Sequence, residues 1–401
     1  MFTTRGLVPT ITTSQPAHGG ILADLLVTAD RAAELTERAD GSPSWRLTQR
    51  QRCDLELLAC GGFSPLRSFL GEDDYAHVCA TMRLADGTLW PIPITLDVPD
   101  DLGAPVRRPG QSLALRDADD TLLAALHVTE AWRPDLAAEA MAVFGTTDHA
   151  HPGADYLLRH VHPWYITGEL EVLRLPPHPD FAAFRRTPGQ LREEFARRGW
   201  ERVVAFQTRN PLHRAHQELT LRAVREADAH LLIHPVVGMT KPGDIDHHTR
   251  VRCYQAILPH YPQDRVLLSL LPLAMRMAGP REALWHAIIR KNYGATHFIV
   301  GRDHAGPGLD SAGHPFYEPY AAQELLRHHG QELDMDVMTF PRLVYVPERA
   351  AYLPEDEAPV GARTLSISGT ELRQRLAEGR DLPAWFTPPE IAAELRRSYG
   401  C

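Results

Sequence analysis

From residue 202 onward, short apolar runs alternate with helical patterns, and this alternation restricts the possible fold more than any other feature of the chain. The runs cover 202–206, 231–237, 266–271 and 296–300, and helical periodicity follows over 217–227, 248–260, 279–293 and 317–329. Apolar strands separated by helices imply a parallel sheet covered on both faces, an α/β arrangement. Ligands of such sheets bind beyond the carboxyl ends of the strands.

Two loops with useful chemistry sit at those ends. The first is Gln207-Thr208-Arg209-Asn210-Pro211-Leu212-His213-Arg214-Ala215-His216, directly after the run 202–206. Asn210 suits a helix N-cap, and Pro211 suits the first helical position, where its missing N–H costs nothing. A strand feeding a helix N-terminus offers free N–H groups and the positive end of the dipole to an anion. Arg209 adds a fixed guanidinium, and His213 and His216, three apart, share one face of the first turns. The stretch reads as a phosphate or sulfate cradle. Its parts have plainer readings when taken singly. The cap and proline are ordinary helix punctuation, and paired histidines at this spacing are commonly surface residues. As a metal pair they lack a carboxylate or Cys at matching helical spacing. The conjunction is what favours a site.

The second loop is Gly301-Arg302-Asp303-His304-Ala305-Gly306-Pro307-Gly308, after the run 296–300. Its glycines let the backbone approach a ligand, and Arg302 and His304 supply donors for an oxyanion. Alone it is only a turn. Its place in the same sheet as the first motif makes it a site candidate. The loop 238–244 carries Lys241, one of two lysines in the chain with Lys291, so a phosphate contact there stands beside a solvated loop lysine. Arg281, in the first turn of the helical pattern 279–293, opposes the helix dipole, so function or a carboxylate partner must justify it.

Composition narrows the class. With 44% hydrophobic and 23% charged residues the chain is globular, and 401 residues allow two or three domains. Forty-two basic against 51 acidic residues give −9, and residues 1–170 hold 13 basic against 23 acidic, a difference of −10, with no lysine. A nucleic-acid footprint is therefore missing, and a structural or dimerisation role suits the first part better. Five scattered cysteines without a C-x-x-C pair argue for a reducing compartment. The first 20 residues lack the apolar core of a secretory signal, and the longest uncharged apolar run, 266–275, is too short to span a bilayer. A cytoplasmic protein without a membrane partner is expected.

Residues 1 to about 16 read as a flexible or strapped-down tail. The pattern up to about residue 168 is β-rich and punctuated by Pro and Gly. Strands are expected over 90–98, 112–116 and 122–128, and helices over 53–60 and 71–82. The Pro-rich stretch 176–188 marks a boundary. Residues 342–346 read as a strand, and two helical patterns end the chain. Ser368-x-x-Glu371 forms a capping box for the first of them, and the second covers 390–399. There is no G-x-x-x-x-G-K-[ST], no strand-linked G-x-G-x-x-G, and no G-x-S-x-G or H-E-x-x-H, which disfavours a fused P-loop kinase module, dinucleotide oxidoreductases and the common hydrolases.

These residues resemble the ATP sulfurylase (sulfate adenylyltransferase) family in its stand-alone form, without a fused adenylylsulfate kinase domain. The first loop is similar to the family's Q-x-R-N-P-x-H-x-x-H signature and the second to its GRDHAG signature. Residues 62–66, 91–97, 273–284 and 367–371 match further stretches in the same order. The resemblance implies a PUA-like N-terminal domain over 1–170, a Rossmann-like nucleotidyltransferase domain over 171–339, and a small C-terminal α/β segment over 340–401 that completes the cleft. It implies AMP transfer from ATP to sulfate, giving adenosine 5′-phosphosulfate and pyrophosphate, with Mg²⁺ accompanying ATP. Thr208, Arg209 and Asn210 would be the catalytic trio. Gln207, Arg209 and the backbone of Ala305 would contact sulfate. Residues Gln207 to Asn210, His213, His216, Gly301, Arg302, Asp303, His304 and Val344 would contact ATP, with Val344 against the adenine. Some bacterial relatives carry a Cys-rich zinc site after the GRDHAG loop, and because 310–320 has no Cys, no protein-bound zinc is expected. A homodimer is the family's default assembly. Two other readings are compatible with the motifs: a nucleotidyltransferase for selenate or molybdate, and a silent nucleotide- or sulfate-sensing subunit.

Overall fold

The computed structural model describes residues 15–106 and 110–399. The expected N-terminal tail lies almost wholly outside them. Where description begins, Gln15 Nε2 donates to the carbonyl of Asp334 (2.5 Å), and the Gln15 carbonyl accepts from Arg192 (2.6 Å).

The first sheet consists of β1 (Ser44–Arg46), β2 (Leu96–Val98), β3 (Ser112–Arg116), β4 (Leu122–Trp132) and β5 (Trp164–Val172), in the order β1-β3-β4-β5-β2. Only the β1–β3 pair is parallel. The strand expected over 90–98 shrinks to β2, because Pro91 and Pro93 cannot donate to a ladder. The expected helices appear as Gln49–Ala59 and Glu72–Thr81. Strand β5 has no counterpart among the expected strands, since Gly168 interrupts its pattern. A Cβ at Gly168 would sit 1.9 Å from the His127 carbonyl oxygen, so only glycine admits the close approach of β4 beside its register shift.

The second sheet is fully parallel: β6 (Val203–Phe206), β7 (His230–Ile233), β8 (Val266–Leu268), β9 (His297–Val300) and β10 (Asp336–Thr339), in the order β10-β9-β6-β7-β8. Strand β6 is first in sequence and central in space. The chain runs outward through β7 and β8, then returns to the other side for β9 and β10, so the order reverses between β6 and β9. That switch point is where an open α/β sheet leaves a crevice. The helices are Arg214–Ala227, His247–Ile257, Gly279–Asn292 and Ala321–Leu333. The last starts later than the expected 317, with Pro319 two residues ahead of it. A further helix, Pro188–Arg198, lies outside the expected patterns, and Thr187 and Gln190 form a full capping box at its start.

The core does not stop between the two sheets. Helix Gly279–Asn292 is buried along nearly its whole length between them, and its Trp285 ring lies 5.1 Å from Phe63 of the first domain. Two of its polar residues, Asn292 and Arg281, bond across that boundary. Asn292 Nδ2 donates to the carbonyls of Gly62 and Ser64, and its Oδ1 accepts from the His18 N–H. Arg281 donates to the carbonyls of Val78, Cys79 and Pro91. Those include the C-terminal carbonyls of helix Glu72–Thr81, so neither a carboxylate nor a substrate is what justifies Arg281. One helix end satisfies the other.

Strands β11 (Leu343–Val346) and β12 (Ala351–Pro354) form an antiparallel pair, followed by helices Gly369–Ala377 and Pro389–Tyr399. Ser368 caps the first by accepting from the Glu371 N–H. The return half of the expected capping box is replaced, because the Glu371 carboxylate binds Arg375.

Candidate active site

The loops after β6, β7 and β9 meet at the switch point. Two adjoining cavities open there, of about 660 Å³ and about 530 Å³, and both are lined by Ala215, His216, Asp303, Ser368 and Gly369. The larger has apolar walls from Leu219, Ile299, Phe340 and Leu343, with Gly301 and Arg302 at its edge. The smaller holds the cations Arg209, Lys241 and Arg373 against the carboxylates Asp244 and Asp303. One lobe suits a flat apolar ring system and the other suits anions, the division expected of a nucleotide and its phosphates.

The first loop differs locally from the sequence expectation. Asn210 is not the N-cap, because the helix begins at Arg214 with His213 at the cap. The reason is a competing turn. Thr208 Oγ1 accepts from the Asn210 N–H and donates to its carbonyl, both at 3.0 Å, and that carbonyl also accepts from Tyr254 Oη at 2.9 Å. Thr208 is thereby buried and turned onto the backbone. Asn210 stays exposed at the rim of the smaller cavity.

Arg209 is held from one side. Its Nη1 lies 2.6 Å from both carboxylate oxygens of Asp244, a residue that sequence reasoning passed over. Gln207 reaches the sulfur of Met275 at 3.9 Å. Lys241 donates to the Pro307 carbonyl, tying the β7 loop to the β9 loop beside Arg209.

His213 and His216 are both kept neutral. Burial pushes His213 down to about 3 and His216 down to about 4, from a usual value of 6.5. The His213 N–H donates to His216 Nδ1 at 3.1 Å, so that nitrogen is an acceptor and the ring proton belongs on Nε2. His216 thus offers a neutral N–H donor where the two cavities join. His213 stacks on Phe386 (4.3 Å between centroids) and its Nδ1 lies 3.1 Å from Thr387 Oγ1. The C-terminal segment closes the cleft by these contacts.

The second loop also departs from expectation. His304 Nε2 contacts His286 Nδ1 at 3.0 Å, and His286 Nε2 lies 3.3 Å from Glu282, whose carboxylate accepts the N–H groups of Arg276 and Ala278. Burial and the neighbouring His286 hold His304 well below 6.5. Its Nε2 therefore braces the loop from behind instead of donating to an oxyanion. Asp303 faces both cavities, and burial raises its carboxyl. A Cβ at Gly306 would fall 1.8 Å from the Asp303 carboxylate, so any side chain there would push that carboxylate from its present position. Val344 is buried in the β11–β12 pair, and the cavity wall nearest it is Phe340 to Leu343.

Comparison with known proteins supplies the deciding observation. Residues 182–398 match the ATP-sulfurylase family, and residues 15–175 match the PUA-like domain. Sulfate adenylyltransferase of Saccharomyces cerevisiae is 55% identical over 385 residues, covering 95% of this chain and 75% of its own. The chain belongs to the ATP-sulfurylase family. The sulfate adenylyltransferase of Mycosarcoma maydis is 53% identical over 95% of this chain and 67% of its own length. A solved structure described as a hexameric APS kinase from Thiobacillus denitrificans superposes with a TM-score of 0.78 at 35% identity, over 95% of this chain and 68% of that one.

Within this ATP-sulfurylase fold the buried His213 makes a measurable demand on stability. Its usual value is 6.5, and burial in the folded chain pushes it down to about 3. Between those values the unfolded chain binds a proton that the folded chain does not, so stability falls as pH drops through the window. One such group contributes about 1.4 kcal/mol per pH unit. Urea unfolding of His213→Gln between about pH 6 and about pH 4 is expected to show a slope shallower than wild type by roughly that amount. An unchanged slope would show that the imidazole is not buried neutral.

Proposed function

We propose that the chain is a sulfate adenylyltransferase, joining ATP and sulfate to give adenosine 5′-phosphosulfate and pyrophosphate in a reversible, direct in-line attack. The observation that carries this reading is the pair of adjoining cavities, apolar and cationic, meeting at His216 and Asp303 beyond the strand ends.

Sulfate is already ionised, so its attack on the α-phosphorus needs no general base. It needs positioning and relief of repulsion between two anions. Asp244 anchors one Nη of Arg209 and leaves the rest of the planar fork for an oxyanion, which guanidinium binds bidentately while keeping its charge. Gln207 and the Ala305 backbone complete the sulfate contacts. Thr208 shapes the turn that presents Arg209 and Asn210 to the reacting centre. The Nε2–H of His216, His213 and the N-terminus of helix Arg214–Ala227 face the departing pyrophosphate. Gly301 to Asp303 line the nucleotide side with His304 bracing them from behind, and the adenine lies in the apolar lobe, with Val344 backing its wall. Mg²⁺ enters with ATP as part of the substrate.

Among the described residues no helix is long and apolar enough to cross a membrane. Assembly as a homodimer is part of the proposal, and light scattering on the purified chain tests it. Sulfate-dependent release of pyrophosphate from ATP tests the activity. Turnover with molybdate or selenate but not sulfate would reassign the substrate, and no turnover with any oxyanion would leave only a binding role.

A further inference from the structure

Away from the cleft, three side chains from distant parts of the chain converge. Asp180 lies in the connector between the two sheets. His247 and His248 begin helix His247–Ile257, directly after its N-cap Asp246. Asp180 Oδ2 is 2.7 Å from His247 Nε2 and 3.7 Å from His248 Nδ1. One ligand atom from each residue lies within 4.8 Å of those of the other two.

An ordinary ion-paired cluster explains only part of this arrangement. Arg185 takes the other carboxylate oxygen (2.9 Å) and the Asp180 carbonyl (3.1 Å), fixing Asp180 so that Oδ2 faces the imidazoles. His247 alone would satisfy that oxygen. Yet His248, next along the helix, brings its ring to within 4.0 Å of the His247 ring and its nitrogen toward the same oxygen, although it is half exposed and free to face solvent. Two protonated rings there would repel each other and Arg185. With both rings neutral, His247 Nε2–H already satisfies the oxygen, and the His248 nitrogen beside it gains nothing. A cation between the three atoms turns each of those costs into a bond. The backbone agrees: Phe181, next to Asp180, adopts φ +49°, a left-handed conformation rare for an aromatic residue, and its ring packs against His248. A cation at a helix N-terminus opposes the dipole, but Asp246 at the cap places a second carboxylate at that end.

We propose that Asp180, His247 and His248 form a binding site for a borderline divalent transition metal such as zinc. Two imidazole nitrogens and one carboxylate oxygen suit zinc, cobalt, nickel or copper, whereas magnesium and calcium prefer all-oxygen shells. The expectation of no protein-bound zinc rested on the missing cysteines of 310–320, and this donor set is unrelated to that loop. The ion fastens the connector to the segment that carries Asp244, three residues before His247, and Asp244 holds Arg209.

The test is titration of the metal-stripped full-length chain with cobalt(II), followed by its visible d–d absorption. Wild type is expected to bind one equivalent, released by zinc, and to melt at a higher temperature with zinc present. His248→Ala and Asp180→Asn, with unchanged circular dichroism, are expected to lose both the cobalt bands and the zinc-induced rise in melting temperature. The proposal is overturned if wild type gives no saturable cobalt spectrum. It is equally overturned if both variants bind cobalt as wild type does, which would place the ion at other histidines.

Discussion

Arg209→Ala is expected to lower sulfate-dependent turnover by about 10²–10³-fold, the loss typical of removing one preorganised donor at a charged reacting centre. The residue stands in the cationic cavity with its Nη1 fixed 2.6 Å from both oxygens of Asp244. Orientation is therefore set before substrate arrives, and the alanine variant loses the positioned fork along with the charge. Arg209→Lys is expected to recover little, because a point charge on a flexible stem cannot replace a planar bidentate donor. Removing Arg209 also strands Asp244, whose side chain is 7% exposed, as an unpaired buried carboxylate. The comparison therefore includes Arg209→Ala/Asp244→Asn, which removes the stranded charge. That double variant is expected to regain stability and stay inactive. Wild-type-like turnover in any Arg209 variant would remove it from the site.

Asp54→Ala is expected to cost about 3–5 kcal/mol of stability, the usual consequence of breaking a buried ion pair from one side. Asp54 and Arg276 are almost fully buried, with Oδ2 and Nη2 2.5 Å apart, and they join the first domain to the second. Nη1 of Arg276 donates to the Ala274 carbonyl, and its guanidinium lies 5.3 Å from the Trp285 ring. Without Asp54 the guanidinium stays in the core without its carboxylate. Asp54→Ala/Arg276→Met removes both charges and is expected to recover most of the loss in urea unfolding. Equal stability of Asp54→Ala and wild type would mean that the pair holds nothing together. The effect should reach the site weakly, since Arg276 is adjacent to Met275, which touches Gln207.

The parallel sheet and both site loops were legible because each apolar run ends in a residue set with its own chemistry. Gln207 to His216 and Gly301 to Gly308 stand where that reading put them, at the strand ends. What stayed hidden depends on contacts distant in sequence. The helix start after Asn210 is displaced by a turn through Thr208 and by Tyr254, 44 residues away. Asp244 is an ordinary loop aspartate until the fold brings it to Arg209, 35 residues earlier. His304 looks like an anion donor until His286, on another element, claims its Nε2. Gly168 concealed β5 for the same reason that β5 pairs closely with β4 there. Asp180 and His247 share no local pattern at all, being 67 residues apart.

The central claim is that two cavities joined at His216 and Asp303 bring an oxyanion onto the α-phosphorus of ATP. Its most direct test runs the reaction backward: purified chain with adenosine 5′-phosphosulfate, pyrophosphate and Mg²⁺, followed by luminescent detection of ATP. ATP is expected to form at a rate that depends on both substrates and collapses in Arg209→Ala. No ATP from folded wild-type protein, with a positive control active, would contradict the account.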